Sequence, residues 1–224
     1  MSDRGKHYLG LHVLADDDPR WPCDPVEQAR RACAAGVPVV QLRAKFATDQ
    51  QCLEWALAIR ELTWEAGARF VLNDRFDIAL LAKADAVHLG QNDLPPAAIP
   101  KELRTRLAIG RSTHTDAQLE ATRAEDVDYV AFGPVFGTTS KESEFDARGL
   151  EALERAVRLA APRPLIAIGG IQLDHLADLR RAGAGGIAVI SGVAGALDPT
   201  TAARDFIERF RHRLPASDET ESLS

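Results

Sequence analysis

Eight short apolar runs recur along the chain, and polar or glycine residues sit where they end. They read HVL at 12–14, VPVVQLR at 37–43, FVLND at 70–74, AVHLGQND at 86–93, LAIGRS at 107–112, YVAFGP at 129–134, LIAIGG at 165–170 and GIAVIS at 186–191. Helical patterns separate them. Asp24 and Pro25 open the first helix as N-cap and first helical residue, and Gly36 closes it. Thr48 or Asp49 opens the second, whose apolar side carries Leu53, Ala56, Leu57 and Ile59 and which stops near Gly67. Six further helices are predicted over 76–83, 95–104, 115–125, 149–160, 172–182 and 199–212, with start signals at Thr115, Asp198 and Pro199 and a stop at Gly183.

Strand and helix alternating in this way predict a parallel sheet with crossover connections. An open doubly wound sheet would normally carry a glycine-rich phosphate fingerprint after its first strand, and HVLADDDPRW has none. Eight repeats in 224 residues favour closure, so the expected fold is α/β, a single-domain (βα)8 TIM barrel over 1–214. The tail PASDETESLS, 215–224, is polar, acidic and aperiodic, and is expected to be disordered. In such a barrel the C-terminal strand ends share one face, where the following loops build the active site. Chemistry is therefore expected where the runs end.

Four groups stand there. Gln41, Arg43 and Lys45 lie at i, i+2, i+4, which on a strand puts all three on one face. A planar fork of donors and a point charge suit a polyanion. A solvated edge strand would carry the same pattern, but a barrel has no free edge. Asn73 and Asp74 end the third run and Asp93 follows the fourth. Carboxylates from adjacent strands suit magnesium, which takes one or two of them together with waters and phosphate oxygens. Helix capping is the rival role for Asp74 and for Asp93, which stands just before Pro95 and Pro96. After the sixth run, the long loop GPVFGTTSKESEFDARGL sets Thr138, Thr139 and Ser140 beside Lys141, a composition suited to phosphate. Finally, the glycines of IGGI at 168–171, with AVIS at 188–191, mark the loops after strands seven and eight, a frequent phosphate site in such barrels. The first run end, ADDDPRW, is chemically uninformative. His88 reads as a packed core residue, and His114 faces the mouth. His7, His12, His175 and His212 show no pattern, and Trp55 and Trp64 read as packing residues of a helix.

A net charge of −6 removes any global basic field for nucleic acid or a membrane surface, so an anionic substrate needs a local cluster of cations. Three cysteines without C-x-x-C spacing suggest neither a disulfide framework nor a zinc site. The sequence MSDRGKHYLG lacks the apolar segment of a signal peptide, and no run approaches the ~20 residues that span a bilayer. A cytoplasmic protein is expected. A homo-oligomer stays open.

The stretches VQLRAK, NDRFDIALLAKADAVHLGQNDLP, IGRSTHT, DYVAFGPVFGTTSK, ARGLEAL and AIGGI, in this order, resemble the thiamine phosphate synthase family over about residues 8 to 212. The resemblance implies a transferase that joins hydroxymethylpyrimidine diphosphate to hydroxyethylthiazole phosphate and releases pyrophosphate, with Mg2+ as cofactor. It implies that Gln41, Arg43 and Lys45 hold the pyrimidine diphosphate with Asn73 beside it, and that Asp74 and Asp93 hold magnesium. Ser112 and Lys141 would reach the diphosphate from the other side. Thr138, Ser140 and backbone at Gly170 and Ile190–Ser191 would meet the thiazole phosphate. Ala44 stands where the family often has Glu, Ser140 where Thr is commoner, and ADDDPRWPCD is less typical. A related thiazole tautomerase would use a general acid or base, with His114 the candidate, and a non-catalytic phosphate-binding barrel is a further reading.

Overall fold

The computed structural model describes residues 3–137 and 146–211. Thr138, Thr139, Ser140 and Lys141, and the tail with His212, lie outside the described residues. The apolar runs form eight parallel strands: β1 (Gly10–Asp16), β2 (Val39–Arg43), β3 (Arg69–Asn73), β4 (Ala86–Leu89), β5 (Ala108–Thr113), β6 (Tyr129–Phe132), β7 (Leu165–Ile168) and β8 (Gly186–Val189). Each pairs with the next, and β8 returns to β1 to close the barrel. The helices are α1 (Pro25–Ala34), α2 (Asp49–Ala66), α3 (Phe76–Leu81), α4 (Asp116–Ala121), α5 (Gly149–Ala160), α6 (Leu176–Arg181), α7 (Ser191–Ala194) and α8 (Pro199–Arg211). The Asp24 carboxylate accepts the Glu27 amide and the Thr48 hydroxyl accepts the Gln51 amide, so both predicted caps form.

Side chains alternate along the strands, which divides the interior into two layers. Along β2, Val40 and Leu42 pack against the helices, while Val39 joins a separate apolar cluster inside the barrel. Val71, Ala86, Ala108, Tyr129, Ile166 and Ala188 fill that inner cluster, and Tyr8 caps it from below. Tyr8 ends a 3-10 turn, Asp3–Tyr8, that precedes β1. Toward the C-terminal strand ends the inward row becomes polar: Gln41 and Arg43 on β2, Asn73 on β3, His88 on β4 and Ser112 on β5. Apolar residues fill the barrel below and leave its upper end to chemistry.

Several expectations are corrected. The span 95–104 is not a helix but two 3-10 turns, Pro96–Ala98 and Leu103–Thr105. Pro95, Pro96 and Pro100 explain it, because each lacks the N–H that an α-helix interior uses. The buried stripe of α2 is Cys52, Ala56, Ile59 and Thr63, so Leu57 and Trp64 fall off it and are exposed. Trp64 carries the Arg60 guanidinium 5.2 Å above its ring instead of core contacts. Trp55 is half-buried against the core. The short helix α7 after β8 was not expected.

Candidate active site

A cavity opens at the C-terminal ends of the strands and holds about 1000 Å³ of empty space, its mouth included. Every strand contributes to its wall. Of the residues singled out in the sequence, Gln41, Arg43, Asn73, Ser112, Gly170, Ile190 and Ser191 line it.

The half built on β1 to β4 is made of charged side chains held by one another. Asp16 stands opposite Arg43 in the β1–β2 register, and its fully buried carboxylate lies 2.5 Å from the Arg43 Nη1. The same carboxylate accepts the Trp21 indole N–H at 2.8 Å and the Asp18 amide at 3.0 Å. Arg43 is thus aimed by a partner that sequence reasoning missed, and the first strand end is not chemically empty. The ends of the first two runs do not show it, because aligning them would set Leu14 against Arg43; only the strand register, with Leu14 on Gln41, brings Asp16 to Arg43.

Lys45 departs from the expected common face, because β2 ends at Arg43. Beyond the strand, Asp17 accepts the amides of Lys45, Phe46 and Ala47, each at 2.8 Å, and turns the chain. This turn brings the Lys45 ammonium onto the Asp74 carboxylate at the end of β3. Burial pushes the Asp74 carboxyl above its ordinary range, and the neighbouring Asp93 carboxyl raises it further, while Lys45 draws it down. Neither aspartate caps a helix. The residue before α3 is Arg75, which gives no side-chain cap, and Asp93 instead accepts the Gly90 amide at 2.6 Å. The two carboxylates expected together are together. Gln91 was also missed: its amide donates to the Ser112 carbonyl at 2.5 Å and ties the loop after β4 to β5.

The half built on β5 to β8 is mostly backbone. Segment 133–137 runs against the end of β7, with the Val135 amide donating to Ile168 and the Phe136 amide to Gly169. Gly170 has φ +61°, and a Cβ there would lie 2.1 Å from the Gly137 carbonyl oxygen. The paired glycines therefore serve close packing between two loops as well as an open wall. His114 lines this side and donates from Nδ1 to the Gly133 carbonyl at 2.6 Å. His88 is buried as expected, yet it also lines the cavity, with Nε2 2.8 Å from the Ser112 hydroxyl.

At the floor, His12 donates from Nε2 to the Tyr8 carbonyl at 2.7 Å. Its burial depresses the pKa to about 4, so the ring is neutral near pH 7. Among the described residues, no group of three or more His, Cys, Asp or Glu could hold a metal, and no helix is long and apolar enough to cross a membrane. Cys23, Cys33 and Cys52 are free.

Fold and mouth together define a (βα)8-barrel enzyme with Arg43 on one wall, the Lys45, Asp74 and Asp93 cluster in the neighbouring loops, and a glycine-rich loop wall opposite. A family model described as thiamine monophosphate synthase matches residues 11–193. The chain is 43% identical over 199 residues to the thiamine-phosphate synthase of Methanoculleus marisnigri, covering 89% of this chain and 94% of that one. It is 45% identical over 194 residues to that of Anaeromyxobacter dehalogenans, covering 87% and 84%. The solved structure of thiamine phosphate pyrophosphorylase from Pyrococcus furiosus superposes with a TM-score of 0.81 at 34% identity, covering 93% of this chain and 98% of that one. The chain belongs to the thiamine monophosphate synthase family.

Proposed function

We propose that this transferase joins 4-amino-2-methyl-5-hydroxymethylpyrimidine diphosphate to 4-methyl-5-(2-hydroxyethyl)thiazole phosphate, giving thiamine phosphate and pyrophosphate. The observation that carries the reading is the cluster at strand ends two to four: Arg43 held on buried Asp16, beside Lys45 on Asp74 with Asp93 adjoining. Gln41, Arg43 and Lys45 hold the pyrimidine diphosphate, with Asn73 alongside, and Ser112 reaches it from the opposite wall; Lys141 is assigned to the same diphosphate by the family resemblance alone. Thr138, Ser140 and backbone at Gly170 and Ile190–Ser191 take the thiazole phosphate.

The bond from the pyrimidine methylene to the diphosphate oxygen breaks first, and its electron pair leaves with pyrophosphate. The aminopyrimidine spreads the positive charge left behind. The thiazole nitrogen then supplies the pair for the new carbon–nitrogen bond. Arg43 and Lys45 are directed at the charge growing on the leaving group, where preorganised stabilisation is worth most, and the family resemblance gives Lys141 the same role.

Asp74 and Asp93 fit a magnesium ion, because two hard oxygen donors crowded together, with one ammonium on Asp74, gain by sharing a divalent cation. They would hold it, and when bound it would neutralise charge on the diphosphate. The enzyme works in the cytoplasm, where its three unpaired thiols stay reduced. The test is an assay of the purified protein with both substrates and magnesium. Thiamine phosphate together with pyrophosphate is expected. Isomerisation of the thiazole phosphate alone would sink the reading in favour of a tautomerase.

A further inference from the structure

His88, Gly110 and Tyr129 stand side by side in register on β4, β5 and β6. A Cβ on Gly110 would lie 2.2 Å from the Tyr129 Cζ, 2.4 Å from its hydroxyl oxygen and 2.5 Å from the His88 Nδ1. The glycine is therefore the gap across which the flanking side chains meet. The Tyr129 hydroxyl lies 3.1 Å from the His88 Nδ1, and the His88 Nε2 lies 2.8 Å from the Ser112 Oγ. Tyr129 is fully buried, stacked on Tyr8 at 4.9 Å and touched by the edge of His12 at 5.7 Å.

We propose that Tyr129 fixes the direction of this hydrogen-bond chain, so that Ser112 presents its hydroxyl proton to a phosphate oxygen in the cavity. Tyr129 is then a positioning residue that acts through His88. Among the described residues the Tyr129 hydroxyl has one polar partner, the His88 Nδ1. If Nδ1 carried a hydrogen, whether in the neutral or the charged ring, the phenol proton would be buried with no acceptor, and that group would bear its full desolvation penalty. Burial also holds the phenol protonated by raising its pKa well above 10. Tyr129 thus donates to Nδ1, the ring hydrogen sits on Nε2, and Nε2 donates to Ser112. With one lone pair so occupied, the serine hydroxyl, on the cavity wall, donates onward. The arrangement favours an acceptor opposite Ser112 and disfavours a donor. Only the identity of that acceptor rests on the function proposed above.

Nitrogen-15 NMR of the histidine-labelled protein without ligand reads the tautomer directly, with His88→Gln assigning the signal. His88 is expected as a single neutral tautomer with its hydrogen on Nε2, shifting to a mixture in Tyr129→Phe. A hydrogen on Nδ1 in the unsubstituted protein, or the same tautomer in folded Tyr129→Phe, would overturn the proposal. The consequence is read by titrating inorganic pyrophosphate with magnesium. Ser112→Ala should weaken binding by roughly fivefold to tenfold, the worth of one hydrogen bond, and Tyr129→Phe by a smaller factor, the inverse of the fraction of His88 that keeps its hydrogen on Nε2. The double variant should lose little more than Ser112→Ala, because both substitutions remove the same contact. Additive losses would contradict the chain. Failure of the unsubstituted protein to bind pyrophosphate would count against the diphosphate reading, while the NMR result decides the role of Tyr129.

Discussion

The two halves of the mouth achieve rigidity by different means. On the β1–β4 side, long charged side chains are fixed by partners: Arg43 by buried Asp16, and Lys45 by Asp74 after the Asp17 turn. On the β5–β8 side, the wall is backbone packed on backbone, and Gly170 is needed because a side chain would strike Gly137. The first kind of site can concentrate charge against a diphosphate. The second offers amides and an open surface to a smaller phosphate. Damage should therefore take two forms, loss of charge on one side and displacement of a loop on the other.

The largest effect is expected at Arg43. Arg43→Ala leaves Asp16 as a buried carboxylate without its cation, which should cost about 3 kcal/mol in urea denaturation, together with most of the transferase rate. Adding Asp16→Asn should recover much of the stability and none of the rate. Recovery of both would show that Arg43 acts only as a structural partner.

Gly170→Ala should come next. Its left-handed backbone and the contact with Gly137 together predict a loss of about 2 kcal/mol or more, seen as a lower thermal midpoint. The KM for the thiazole phosphate should rise more than that for the pyrimidine diphosphate. An equal rise in both would erase the division between the halves.

A third effect, absent at neutral pH, lies beneath both. His12 has a folded pKa of about 4 against an ordinary 6.5, so its neutral form is favoured by folding. Its contribution is intact above pH 6.5 and is lost as pH falls toward 4, because only the unfolded chain takes up the proton. Stability should fall by about 1.4 kcal/mol per pH unit across that window from this group. His12→Gln should flatten the slope measured by denaturation at pH 6.5, 5.5 and 4.5, and an unchanged slope would assign the acid sensitivity elsewhere.

Much of this molecule is legible in its sequence because strands covered by helices are apolar and their ends are not. Gln41, Arg43, Asn73 and Ser112 could be placed by counting from the last apolar residue of each run, and all four reach the cavity. What escaped depends on neighbours distant in sequence. Asp16 gains meaning only opposite Arg43, and His88 only across Gly110 from Tyr129. The i, i+2, i+4 spacing puts Lys45 on the strand, because spacing cannot show that three amides will turn toward Asp17. The span 95–104 had apolar residues at helical spacing, but its prolines decided the outcome.

In the proposed function, strand ends two to four hold a magnesium-bound diphosphate that leaves during the reaction. Asp93→Ala tests it most directly, through the rate of pyrophosphate release from both substrates at saturating magnesium. Asp93 also accepts the Gly90 amide, so its fold should first be checked by circular dichroism. A fall on the order of a hundredfold is expected, the usual cost of removing one preorganised electrostatic group. Turnover at the unsubstituted rate in a folded Asp93→Ala protein would contradict it.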